Sequence, residues 1–123
     1  VVIDKRGLRK MEVRAISRGV HVSPRKVRLI LKRLPGLTVD EALALLRYVQ
    51  SPHARTVAKA VLSAASNAEN NFSLDIDSLY IKQAYAGDGI TMKRFKARSR
   101  GRAAPRLRRH SHITIIVDQR EVQ

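Results

Sequence analysis

Val27, Ile30, Leu31 and Leu34 recur at i, i+3, i+4 and i+7, the inward stripe of an amphipathic helix. Ser23-Pro24 ahead of them offers an N-cap and a proline at the first helical position, and Pro35-Gly36 offers a stop. Thr38 and Glu41 have capping-box spacing, and Val39, Ala42, Leu43 and Leu46 predict a second helix ending near Tyr48. Ser51-Pro52 repeats the start signal. Ala54, Val57, Ala58, Val61, Ala65 and Ala68 then predict a third helix, ending around Asn70-Asn71, whose alanines allow close approach to its neighbours. Strand patterns flank these helices. Met11 to Ala15 alternates apolar and polar until Gly19 breaks the pattern, Leu79 to Tyr85 places Leu79 and Ile81 on one face, and Ile113 to Val117 is the most β-prone stretch. Val1–Lys10 reads as a flexible lead-in, and Asp75-Ile76-Asp77 as a surface turn.

Between the last two strands lies MKRFKARSRGRAAPRLRR, Met92 to Arg109, in which Lys93, Arg94, Lys96, Arg98, Arg100, Arg102, Arg106, Arg108 and Arg109 are basic. No carboxylate occurs between Asp88 and Asp118. Burying so many cations without paired anions is prohibitive, so their counter-charges come from outside the chain. Arg94, Lys96, Arg98, Arg100 and Arg102 occupy every second position, alternating with Phe95, Ala97, Ser99, Gly101 and Ala103. An extended strand puts alternate residues on one face, so the parity predicts one basic edge and one mostly small edge. Arg106, Arg108, His110 and His112 continue the polar parity, against Ile113, Ile115 and Val117. A helix over Lys93–Arg100 has fair propensity, but Gly101 and Pro105 limit it and Met92, Phe95 and Leu107 form no helical stripe. The pattern predicts an arm that leaves the body at a bend or bulge, Gly87-Asp88-Gly89, and turns within Lys96–Ala103. About a dozen residues on each side would reach roughly 40 Å.

The expected fold class is α+β: a three-stranded antiparallel sheet with three helices on one face and a long extended β-hairpin arm. The 123 residues read as a single domain, with a body over about 11–87 and 111–118 and an arm over about 88–110.

Charge sharpens this picture. The formal net charge is +15, which points to a polyanionic partner. Residues 1–33 hold eleven Lys and Arg against Asp4 and Glu12, and Met92–Arg109 hold nine against none. The stretch between is close to neutral. On the first helix Arg25, Lys26, Arg28, Lys32 and Arg33 face outward. Arg25 and Lys26 occupy the first turn, where the helix dipole disfavours each by a few tenths of a kcal/mol to about 1 kcal/mol. A phosphate bound there reverses the sign.

No cysteine is present, and no apolar run reaches the roughly 20 residues of a membrane span. An intracellular soluble protein with no disulfide framework is expected. His110 and His112 are spaced to share a strand face, but no third ligand is near and Arg108 and Arg109 are poor neighbours for a cation, so no metal is expected. Nor is a cofactor, because Gly87-Asp88-Gly89 is too short to cradle a phosphate group. No nucleophile motif positions the serines and histidines, so the chain is not expected to be an enzyme. A DNA-compacting or regulatory protein is the main rival, and a small hydrolase a remote one. Against a helix-turn-helix, the second helix has Arg47 as its one basic residue. Membrane binding would need bulky apolar residues opposite the charges, and the arm has mainly small ones. Few aromatic residues argue for recognition of shape and phosphates over base stacking.

Ser23-Pro24-Arg25-Lys26-Val27-Arg28-Leu29, Ser63 to Asn71, Met92-Lys93-Arg94, Arg100-Gly101-Arg102-Ala103 and Ser111-His112-Ile113-Thr114 together resemble ribosomal protein L twenty-two of the large subunit, bacterial type. They span about residues 11–118 in the family's order. Ile90 and Ala97 stand where the family usually has proline, and His110 where it usually has threonine. The resemblance implies a structural constituent of the large subunit, in cytoplasmic or organellar ribosomes, present as one copy beside neighbouring ribosomal proteins. It implies ribosomal RNA binding by Arg25, Lys26, Arg28, Lys32, the basic arm residues and His112, support of subunit assembly, and no membrane partner. It also implies that Met92, Lys93, Arg94, Arg98, Ser99, Arg100, Gly101 and Arg102 line the nascent-peptide tunnel, against the nascent polypeptide. Such an arm, with no core of its own, is expected to be mobile when free.

Overall fold

A computed structural model describes residues 12–119 and the backbone pairing of two short strands before them, β1 (Val2–Ile3) with β2 (Arg9–Lys10). The remainder of the expected lead-in, and Met11, lie outside the described residues. The body then runs β3 (Val13–Val20), α1 (Pro24–Leu31), α2 (Val39–Tyr48), α3 (Ala54–Phe72), β4 (Leu79–Ala97) and β5 (Ala103–Gln119).

The sheet is antiparallel, in the order β3-β5-β4. Central β5 puts Ile113, Ile115 and Val117 on the helix-covered face, each fully buried. Val13 and Ile81 flank Val117, and Ala15 and Ala84 flank Ile115. All three helices pack on that side: α3 crosses β3 and β5, α1 lies against β4, and α2 packs on α3. The stripe Val27, Ile30, Leu31 and Leu34 is buried as its spacing requires. The loop after α1 is pinned to the sheet, Gly36 N donating to Ile81 O and Ile81 N to Leu37 O, both at 2.8 Å.

Several boundaries differ from those expected of the sequence. β3 does not stop at Ala15 but passes through Gly19, which adopts φ +67° where the β3–β5 register shifts between Ser17 and Val20. A glycine tolerates this left-handed conformation inside a strand irregularity. Ser23 is the N-cap of α1 by backbone position, but its side chain makes no capping hydrogen bond. α1 ends at Leu31, before Pro35-Gly36, and only tight turns carry the chain on to Leu34. The α2 capping box forms in full between Thr38 and Glu41. α3 begins two residues after Ser51-Pro52, with His53 as its N-cap, because the Ser51 hydroxyl and carbonyl accept from His53 N and Ala54 N in a turn before the helix. It runs to Phe72, with Ser73 left-handed beyond it, and it buries Ala60 and Ala64 while Ala58 is half-buried. Asp75 to Ser78 contains a short 3-10 turn, in which the Asp75 carboxylate accepts from Asp77 N. Among the described residues, no helix is long and apolar enough to cross a membrane.

Beyond the body, β4 and β5 continue alone as a hairpin arm whose last pair is Ala97–Ala103. β3 reaches only to Ser111, so among the described residues the outer part of β5 has no third strand. Pro105, which cannot donate to a ladder, is therefore tolerated there. From Asp88 to the end of β4 at Ala97 the arm amounts to roughly 33 Å of strand.

Candidate nucleic-acid interface

The arm departs from the body at a bulge. Asp88 pairs with Ser111 and Thr91 with Arg109, leaving Gly89 and Ile90 opposite His110 alone. The extra residue shifts the register and re-aims the outer half of the strand. It also turns His110 inward: the side chain expected on a polar edge is buried, with 9% exposure. Its Nδ1 lies 3.0 Å from Ile90 O and its Nε2 lies 2.7 Å from His21 Nδ1. The two rings meet edge to face, with centroids 4.4 Å apart.

Beside this pair is an open cleft of about 700 Å³, between the start of α1 and the root of the arm. Arg25, Lys26 and Arg28 line it from α1, and Arg108 and Arg109 from β5. In the sequence these cations belong to two separate basic regions; the structure brings them to one site. Arg28 is partly committed there, its Nε and Nη2 donating to Ala86 O at 3.1 and 2.7 Å. Lys32, at the other end of α1, is exposed and lies outside the cleft lining. His112 is half-buried in the body, and its Nδ1 accepts from Gly19 N at 3.0 Å. That leaves its Nε2–H as the polar edge available to a ligand.

Register assigns the arm's two faces. Directly opposed residues share a face, so Met92, Arg94, Lys96, Ala104, Arg106 and Arg108 lie on one side. Phe95, Ala97, Ala103, Pro105 and Leu107 lie on the other, with Thr91, Lys93 and Arg109 nearer the root. The expected basic edge is thus real along the strands, but it does not extend through the tip. Arg98 N donates to Arg102 O at 2.6 Å, and the chain reverses through Arg100 at φ +63° and Gly101 at φ +72°. Strand parity has no meaning inside that turn, so Arg98, Arg100 and Arg102 fan out from it, all exposed. Arg94 folds back on its own strand, donating from Nη1 to Lys93 O at 3.0 Å. Every residue from Ile90 to Ala103 is exposed, Phe95 at 75%.

A groove this cationic, joined to an arm with no core of its own, fits a partner that supplies both phosphates and a surrounding wall. Over residues 15–118 the chain matches a family model described as ribosomal protein L22p/L17e. The chain belongs to that family. It is 50% identical over 110 residues to the large ribosomal subunit protein uL22 of Clostridium novyi, covering 89% of this chain and 99% of the relative. The uL22 protein of Macrococcus caseolyticus is 45% identical over 113 residues, covering 92% and 91%, and that of Thermoanaerobacter sp. strain X514 is 50% identical over 111 residues, covering 90% and 100%. Membership makes the protein a structural constituent of the large ribosomal subunit of the bacterial type.

Proposed function

We propose that the protein binds large-subunit ribosomal RNA through two surfaces, supports assembly of the subunit, and lines the nascent-peptide tunnel with the tip of its arm. The observation that carries this reading is the arm itself: an exposed hairpin with nine cations and no carboxylate between Met92 and Arg109. Arg94, Lys96, Arg106 and Arg108 hold phosphates along one face, aided by Lys93 and Arg109, while Ala97 and Ala103 on the opposite face permit close approach of packed RNA near the tip. Arg25, Lys26, Arg28, Lys32 and His112 hold RNA against the body. Met92 to Arg94 lie beside the tunnel, and Arg98 to Arg102 form its wall with Ser99 and Gly101 at the turn. The partners are ribosomal RNA, neighbouring ribosomal proteins and the nascent polypeptide, with one copy per subunit. The role is structural and requires no catalytic group.

Because the chain contains no cysteine, Ser99→Cys places a single thiol at the tip. A short thiol-reactive crosslinker on assembled ribosomes should capture nascent chains from that position, and a thiol placed at Lys59 on α3 should not. Equal capture from both sites would contradict the tunnel assignment. Affinity for RNA should also fall with salt, with a log–log slope of roughly −0.7 to −0.9 per phosphate neutralised.

A further inference from the structure

The cleft at the arm's root contains a histidine pair that the proposed RNA contacts do not use. A carbonyl oxygen only accepts, so Ile90 O requires a hydrogen on His110 Nδ1. A neutral His110 therefore presents a lone pair at Nε2, which accepts from His21 Nδ1–H across 2.7 Å. His21 then has a single free basic nitrogen, Nε2. Adding one proton there creates an imidazolium without breaking either hydrogen bond. A second proton would set two N–H groups against each other. The hydrogen-bond pattern leaves room for one further proton, on His21 Nε2.

We propose that this cleft is a proton-linked phosphate site, in which binding of an RNA phosphate at the arm's root is accompanied by uptake of a proton at His21. It rests on the RNA-binding function and adds its regulation by pH. Arg25, Lys26 and Arg28 line the same cleft from α1, Arg108 and Arg109 from β5, and His53 from the turn before α3. Against them, Asp88 is the one carboxylate lining the cleft among the described residues. His21 is itself exposed. A phosphate bound in the cleft would bring a negative charge beside the dyad and so favour its charged form. Binding then takes up a proton, so affinity falls as pH rises, by at most about tenfold per pH unit.

The test compares the full chain with His21→Asn, whose amide nitrogen can replace Nδ1 as donor to His110 but offers no base. Affinity for a large-subunit ribosomal RNA transcript is measured from pH 6 to pH 8 at constant ionic strength, with duplex DNA as the competitor. The wild type should gain about fivefold to tenfold more affinity than His21→Asn between pH 8 and pH 6. Calorimetry in two buffers of different ionisation enthalpy should show proton uptake on binding that the variant lacks. Parallel pH profiles with equal proton uptake, while preference for ribosomal RNA persists, would overturn the proton link and leave the RNA-binding reading intact. Loss of preference for ribosomal RNA over DNA in the wild type would overturn both.

Discussion

Arg28 on α1 donates two hydrogen bonds, at 3.1 and 2.7 Å, to the carbonyl oxygen of Ala86 on β4. This divides the outward face of α1. Arg25 and Lys26 present exposed charge to the cleft, while Arg28 also straps the helix to the sheet at the strand that becomes the arm. Arg28→Lys keeps the charge but loses the planar fork, and should lower stability by about 1 kcal/mol. Arg25→Ala should leave stability within about 0.5 kcal/mol and weaken RNA binding instead. Urea midpoints and RNA affinities of the two variants separate these roles.

The bulge admits little at position 89. A Cβ on Gly89 would stand 3.0 Å from the carbonyl carbon of His110 and 3.1 Å from its oxygen, both backbone atoms. They cannot swing aside as a side-chain end would. Gly89→Ala should destabilise the protein by about 1–3 kcal/mol, read as a lower urea midpoint at unchanged slope. Gly87→Ala, with nothing within 4 Å of the new atom, should be milder.

At the tip the constraint is conformational, because no atom lies within 4 Å of a Cβ at Gly101, whose φ is +72°. Gly101→Val should open the turn at a local penalty of about 1–2 kcal/mol. Hydrogen exchange on assembled subunits, where the arm is held, reads this: the Arg98 amide, bonded to Arg102 O at 2.6 Å, should lose protection, while Ile115 and Val117 amides keep theirs.

The arm's strands pair to Ala97–Ala103 yet bury nothing beyond the bulge. A hairpin without a covered face is marginal in water. Backbone order parameters of the free protein should therefore fall from about 0.85 in the body to below about 0.6 towards the tip. Equal values in both would contradict this. Arg→Ala changes at Arg98, Arg100 or Arg102 should slow passage of nascent chains more than they impair subunit assembly. Defective assembly with normal elongation would count against that.

The sequence revealed what depends on local period or on bulk charge. Val27, Ile30, Leu31 and Leu34 mark one face because the helix repeat brings them together, and Arg94 and Lys96 because a strand has a period of two. Thr38 and Glu41 closed their box because both partners lie within one turn. What escaped were relations between distant positions. Arg28 reaches Ala86, 58 residues away, and His110 reaches His21, 89 residues away. Neither contact has a local signature, and burial of His110 stems from a bulge whose register no single strand specifies. Ser51-Pro52 misled for a different reason. The dipeptide encodes a turn, and whether a helix starts at once, as after Ser23, or two residues later depends on how that turn packs. The tip arginines escaped strand parity because Arg100 and Gly101 leave the extended region altogether.

The most direct test of the protein's place in the large subunit is sedimentation of a lysate through a high-salt sucrose gradient, with this protein quantified in every fraction. Salt strips proteins held by surface charge alone, whereas an arm enclosed by folded RNA is retained. One copy per large subunit, unchanged in high salt, is the predicted result. Release to the top of the gradient, or migration with DNA, would contradict it.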